Sequence, residues 1–596
     1  FFFLNFYLAQ NNLAIHNKAT GTVLKYVNHL GLLFGISFLL LIVLMSQFNF
    51  KKWFPLKLLI SYLIYNVLSY ITEISLFLNN PKYKVWNFQK NPFFRTDSFV
   101  VIGTLFLLTT ILVLYRYHSD GLFSRKKDLE EIKDNYQYVI LSQILISFIV
   151  TDKNFSLLVY RTDSFLYKAL EIGKYSAQQF WLTNEFLMLA FPILSIFGFF
   201  YTKGQRDFVK NKPSLSLAFF SSVTIAIVLN YFFQFSLGRT EPFLGIHFTI
   251  PDAILFQILV LTAIILFVYI VINQYWIASC LILLVSVSFV IANFIKFGMR
   301  NEPVLPSDLN WLSKPVTLLS FVDTSQIIYT IGGLVAIVLL SLRGIRYFFK
   351  GKIISSWKVQ VPLVLSMLLL FINVTSVFSD KENGKIKSNV PIISTLNNYQ
   401  DIDWLGNTSN ARYKGLTYVW MNQLTTEVIQ KPEGYSKERM AKIEAKYNEV
   451  AKGINKERQN YLNDQTVIYV LSESFSDPRK IEGVELTQNP IPNIENIMRN
   501  HTSGQMQSDG YGGGTANMEF QTLTGLPFYN ISQTVSVLYT EVFPKIHDVP
   551  SISNSYETNN KIAIHLAGKS NYSRDIVYSR LYFKDFITTN TKGIKY

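Results

Sequence analysis

Long apolar runs separated by short basic loops fill the first two thirds of this sequence, and a mixed polar and apolar pattern replaces them after residue 380. Runs long enough to cross a hydrocarbon core of about 30 Å fall at 29–48, 56–78, 98–115, 179–201, 213–237, 252–274, 275–297, 326–344 and 356–378. A weaker run at 135–151 reads either as a further span or as an interfacial segment, and residues 1–9 as the end of an earlier helix. Beyond 380 the pattern shortens. Ser436 is placed to cap a helix whose apolar positions Met440, Ile443 and Tyr447 share one face, with Gly453 as its stop and the following domain as its packing partner. "TVIYVLSESF" at 466–475 predicts a strand ending at Ser472-Glu473-Ser474. "NPIPNIENIMRN" predicts a helix, and "KIAIHLAG" at 561–568 a second strand ending at His565. Strands separated by helices imply a parallel α/β sheet, with ligand-binding groups beyond the strand C-termini. The expected organisation is a polytopic α-helical membrane domain of about ten helices over 1–379, a linker with an amphipathic helix over 380–463, and an α/β domain over 464–596.

Composition sharpens this picture. Of 596 residues 49% are apolar and 16% charged, and the apolar excess lies in 1–378. The net charge of +15 resides largely in short loops between spans, which fits membrane orientation and argues against a nucleic-acid footprint. Loop 202–212 holds Lys203, Arg206, Lys210 and Lys212, and loop 343–358 holds Arg343, Arg346, Lys350, Lys352 and Lys358. Loops 238–251 and 298–325 hold only Arg239, Arg300 and Lys314. The basic loops are therefore expected in the cytoplasm, making this a multi-pass cell-membrane protein with everything after 380 outside. Loop 79–97, with Lys82, Lys84, Lys90 and Arg95, leaves the orientation of the N-terminal half open. The single cysteine, Cys280, excludes an intrachain disulfide and a cysteine-based zinc site. The chain opens on "FFFLNFYLAQ" and closes on "TTNTKGIKY", and it reads as a fragment lacking both ends.

One motif recurs: "RTDSF" at 95–99 and 161–165, with "RTEPF" at 239–243 and "RNEP" at 300–303. If 135–151 spans, Arg95, Arg161, Arg239 and Arg300 all fall at the outer face. They are then either self-satisfied Arg–carboxylate pairs or contacts for an anionic lipid head group or a sugar chain.

The candidate chemistry sits in "GYGGGTANMEF", 510–520. Glycines at 512–514 let a phosphate and a metal ion approach the backbone. Thr515 is expected as the N-cap of a helix, where unpaired N–H groups welcome a phosphoryl oxygen. A threonine hydroxyl is a weak nucleophile, and metal coordination is one way to activate it. Glu473, at a strand end, is a suitable hard oxygen ligand. Glu519 lies one residue too far along for a capping box, and its role stays open.

"VLSESF", "GGGTANMEF" and "LTGLP" together resemble the lipoteichoic acid synthase-like phosphoglycerol transferases of the alkaline phosphatase/sulfatase superfamily, over about 466–590. "KPEGYS" and "NEPVLPSDL" are similar to the family as well. The resemblance implies a sulfatase-like α/β domain in which Glu473 and Thr515 bind one divalent cation, Mn²⁺ with Mg²⁺ as the alternative. It further implies that Thr515 forms a glycerophospho-enzyme, and that His565, Tyr572 and Arg574 bind the glycerol phosphate. Tyr572 stands where lipoteichoic acid synthases carry Trp, and Ala567 where they carry Asp. The family's remaining Asp-His metal ligands have no counterpart in 575–596, so the domain reads as incomplete at its C-terminus and this fragment as inactive.

The implied donor is phosphatidylglycerol in a Gram-positive-type envelope. The enlarged membrane part resembles the transferases that act on cell-wall polysaccharide, which favours that acceptor over a lipoteichoic acid chain. Phosphoethanolamine transfer is a further enzymatic alternative. A transporter with an accessory outer domain is another, weakened because no span carries a midplane charge cluster.

Overall fold

The computed structural model describes residues 50–84, 103–114, 134–151 and 177–588, apart from single positions and short stretches. Among those stretches, 239–247, 314–323, 473–474, 507–514, 547–548 and 567–573 bear on the sequence reading. The expected span at 29–48 lies outside the described residues, as do Arg95 and Arg161. The chain divides into two compact units: Phe1–Asp308 with Leu318–Thr425, and Leu309–Thr317 with Thr426–Tyr596.

The first unit is helical. Its principal elements are α1 (Phe54–Leu76), α2 (Asp134–Thr151), α3 (Ala177–Val209), α4 (Leu215–Ser236), α5 (Pro251–Ile272), α6 (Tyr275–Arg300), α7 (Thr324–Ile345) and α8 (Trp357–Ser379). Three short helices follow: α9 (Pro391–Asn397), α10 (Gly406–Lys414) and α11 (Leu416–Thr425). Among the described residues six helices, α1 and α4–α8, are long and apolar enough to cross a membrane. Of the run at 98–115, the described residues include the helical stretch Leu105–Leu114, while 98–102, 104 and 115 lie outside the described residues.

Local chemistry sets the helix ends. At the α3–α4 turn the buried Asp207 accepts from Arg206 at 2.9 Å and from the Ser214 hydroxyl at 2.6 Å. Ser214 in turn caps α4 by accepting from the Leu217 N–H. Asn273 ends α5 in the left-handed region, a conformation asparagine tolerates better than most residues. Its amide exchanges two hydrogen bonds with the Ile354 backbone, at 2.8 and 3.0 Å, and so ties the α5–α6 turn to the loop between α7 and α8.

At the other end of the bundle the sequence sets 380–463 apart as a linker, yet α10 and α11 fold into the first unit. Ala411, Leu416 and Val419 are buried in the same cluster as Leu229, Ile254 and Leu261 of α4 and α5. Gln257 of α5 joins these layers. It donates to Asn230 at 2.7 Å and accepts from the Thr417 N–H at 3.1 Å. Between α10 and α11, Gly415 has φ +91°, and a Cβ there would lie 2.5 Å from the Gln257 side-chain oxygen. Gly415→Ala is therefore expected to destabilise the first unit by about 1–3 kcal/mol. Thermal unfolding of the detergent-solubilised protein measures this, and an unchanged midpoint would refute the tight approach.

The "NEPVLPSDL" segment is structural up to Asp308. A lysine at the end of an apolar helix needs a partner. Lys296 of α6 finds Asp308 at 2.6 Å, and Trp420 of α11 donates to the Val304 carbonyl at 2.8 Å.

The second unit contains α12 (Lys437–Glu457), α13 (Pro492–Asn500), α14 (Thr515–Thr524), α15 (Leu538–Glu541), β1 (Ile562–His565), α16 (Arg574–Arg580) and β2 (Asp585–Thr588). β1 and β2 pair in parallel, Ile562 opposite Asp585 and His565 opposite Thr588, with α16 as the crossover. Phe520, Leu538, Tyr539, Phe543, Val577 and Leu581 form the core beneath.

Three sequence expectations change here. Ser436 does cap α12, accepting from the Arg439 N–H, but the helix runs through Gly453 to Glu457. A lone glycine costs a helix only about 1 kcal/mol and need not end it. The expected packing of α12 is not seen: it has no buried residue, and Met440, Ile443 and Tyr447 are exposed. Residues 466–472 do not form a strand either. They lack regular structure, with Ile468 and Val470 77% and 84% exposed. β-Propensity is a fit to cross-strand neighbours, and no described strand lies alongside this run to supply them.

Candidate active site

The site is assembled around α14. Thr515 is its first residue, one place inside the N-cap position that the sequence predicts. Helix boundaries shift by a residue readily, and the hydroxyl still lies in the first turn, among the N–H groups that lack intrahelical acceptors. Asn517, buried on the same helix, accepts from the Leu538 N–H at 2.9 Å, and Phe520 packs edge-on against Phe543 at 5.7 Å. These contacts fix how α14 is rotated against the core.

Glu519, whose role the sequence leaves open, is the centre of a buried network. Its Oε2 accepts from Arg574 Nε at 2.9 Å and Nη2 at 2.7 Å, and its Oε1 accepts from the Tyr578 hydroxyl at 2.6 Å. The side chains of Arg574 and Glu519 are only 4% and 7% exposed. Burial, followed by the Glu519 charge, pushes the Tyr578 phenol well above its ordinary range, so it stays a donor at neutral pH. Positions i and i+4 share a helix face. Thr515 and Glu519 are therefore one turn apart, about 6 Å along the axis, and the carboxylate draws Arg574 to the face on which Thr515 opens.

His565 ends β1, as expected, and its ring stacks on Phe586 at 6.3 Å. Phe586 also meets Tyr578, at 5.4 Å. A continuous series of contacts thus links His565 to Glu519 and Arg574. Spacing along the chain could not reveal it, because Glu519 and Arg574 are 55 residues apart. The i, i+4 relation of Thr515 and Glu519 was the one local signal available.

The remaining expected site residues are not placed. Glu473, Tyr572 and the glycines at 512–514 lie outside the described residues, as does Arg239, and Arg300 is described only as the last backbone position of α6. Among the described residues no three His, Cys, Asp or Glu side chains converge as a metal site. Of the two expected metal donors only Thr515 is described, so no step is derived through a metal from this geometry.

Taken together, these features define a parallel α/β domain that presents a hydroxyl at a helix start beside a buried Arg–carboxylate pair. Residues 465–595 match the sulfatase family model, and this C-terminal segment is a sulfatase-type domain of the alkaline phosphatase superfamily. One relative, "Putative cyclic beta-1,2-glucan modification protein" of Rhizobium meliloti (strain 1021), is 30% identical over 118 residues, which is 20% of this chain and 17% of that protein. A solved structure, "Streptococcus pyogenes phosphoglycerol transferase GacH in complex with sn-glycerol-1-phosphate", is 50% identical and matches 28% of this chain and 46% of that one. Its TM-score is 0.27, too low for the two backbones to be compared as one fold. The chain spans less than half the length of each of these proteins.

Proposed function

We propose that this protein is a membrane phosphoglycerol transferase that moves glycerol phosphate from phosphatidylglycerol to a cell-wall polysaccharide, with its sulfatase-type domain outside the membrane. The observation that carries the reading is the placement of Thr515 at the start of α14, one turn from the Glu519–Arg574 pair, within a domain that matches the sulfatase family. The oxygen of Thr515 attacks the phosphodiester phosphorus of the lipid. The bond to the diacylglycerol oxygen breaks, and diacylglycerol leaves with a proton. An acceptor hydroxyl then attacks the same phosphorus, and Thr515 departs and regains its proton.

In this reading Arg574, oriented by Glu519, holds the phosphate, and His565 donates a hydrogen bond or the proton. Tyr572 is assigned to the glycerol moiety on the resemblance alone. A divalent cation, Mn²⁺ by preference, held by Glu473 and Thr515 would make the hydroxyl a better nucleophile. The saccharide acceptor draws support from the Rhizobium relative, whose name refers to a glucan.

The test uses full-length protein in vesicles of head-group-labelled phosphatidylglycerol with isolated wall polysaccharide. Diacylglycerol should form, and label should pass to the polysaccharide. Consumption of phosphatidylethanolamine instead would overturn the donor, and polymerised glycerol phosphate on lipid would overturn the acceptor. Excess EDTA should stop the reaction and added Mn²⁺ restore it, whereas full activity in EDTA would remove the metal from the proposal.

A further inference from the structure

At the end of the first unit that carries the basic loops, a groove of about 820 Å³ opens between α6 and α7. Its walls are apolar, with Cys280 and Leu283 on one side and Ile337 and Leu340 on the other, and Trp276 and Arg343 lie towards its basic end. The groove exists because the two helices meet through a small residue. A Cβ on Gly344 would sit 2.1 Å from the Trp276 ring, so the indole lies directly on the α7 backbone and donates to the Ser341 carbonyl at 2.8 Å. Phe348 stacks on the same indole at 5.1 Å.

The charge around the groove is one-sided. Between 324 and 379 the sequence contains no Asp or Glu, while Arg343, Arg346, Lys350, Lys352 and Lys358 are all exposed. Among the described residues no carboxylate pairs with any of these five cations. The loop that bears them is built rather than slack. Phe349 is buried against Tyr275, with ring centres 4.5 Å apart, and its N–H donates to Asn211 at 2.7 Å. Ile354 is held by Asn273. Phe349, Ile353 and Ile354 turn inward, whereas Tyr347, Phe348 and Trp357 share the surface with the cations.

An apolar slot in a membrane-spanning bundle, with an aromatic ring and a guanidinium towards its end and unbalanced cations beyond, fits one chemistry: an acyl chain joined to an anionic phosphate. We propose that this groove binds an anionic glycerophospholipid of the leaflet at the basic end of the bundle, with an acyl chain between α6 and α7 and the phosphate at Arg343 and Arg346. The same bundle end carries the α3–α4 and α5–α6 turns, opposite the end where α10 and α11 pack on α5. The proposal does not depend on the transferase reading, because its ligand is bound rather than consumed.

The test is fluorescence quenching in nanodiscs by lipids brominated on the acyl chain, using full-length protein and comparing brominated phosphatidylglycerol with brominated phosphatidylcholine. The chain has eight tryptophans, so Trp276→Phe assigns the signal. Phosphatidylglycerol should quench several-fold more effectively, and this preference should be lost in Trp276→Phe and fall to about parity in Arg343→Gln/Arg346→Gln. Both arginines are exposed, and unchanged gel filtration and melting of the double variant would establish that it is folded. Equal quenching by the two lipids in the parent protein, or a preference that survives either variant, would overturn the proposal.

Discussion

Thr515→Ala in the full-length protein is expected to abolish release of diacylglycerol from phosphatidylglycerol, by a factor on the order of 10⁴ or more, as when a nucleophile is removed from a covalent mechanism. Alanine is the best helix former, so α14 should survive the change. The anchoring contacts of Asn517, Glu519 and Phe520 are all further along that helix. Loss of activity with an unchanged melting curve would therefore report chemistry rather than folding. Thr515→Ser keeps the hydroxyl and should retain measurable turnover. Release from Thr515→Ala at a tenth of the parent rate or above would remove Thr515 from the nucleophile's role.

Glu519→Ala is expected to destabilise the second unit by about 3–5 kcal/mol, because it takes the carboxylate from a buried ion pair. It also leaves the Tyr578 hydroxyl without its carboxylate acceptor. Pulse proteolysis of the intact protein in denaturant measures the loss. Glu519→Gln preserves volume but not charge, and should fall between parent and alanine variant. The informative comparison is Glu519→Gln combined with Arg574→Met. Removing both charges leaves no unpaired buried ion, so stability should partly return while activity does not. Recovery of both together would mean that Arg574 is structural only. An undiminished stability in Glu519→Ala would contradict the buried pair itself.

The two halves of the molecule were legible to different degrees. Apolar run length marked α1 and α4–α8, since crossing a membrane is a requirement on consecutive residues. The cap at Ser436 and the strand ending at His565 were legible for the same reason: each depends on neighbours within a few positions. α10 and α11 were not. Asn, Arg, Lys and Thr make 406–425 look like a solvated linker, yet Ala411, Leu416 and Val419 are buried, while Arg412 and Gln257 find carbonyl and amide partners across the bundle. The run at 466–472 failed in the opposite sense, because a strand needs a partner that no window of sequence contains.

By itself, then, the sequence determined what rests on local order: which runs can span a membrane, where helices start, and which hydroxyl stands at a glycine-rich helix entrance. Long-range packing alone reveals that Glu519 accepts from Arg574 and Tyr578, and that Gly415 and Gly344 are contact points rather than slack. The physical reason is the same in each case. A buried charge, a helix crossing or a parallel strand is satisfied by groups far away in the chain, and the partner is chosen by packing, which residue spacing does not record.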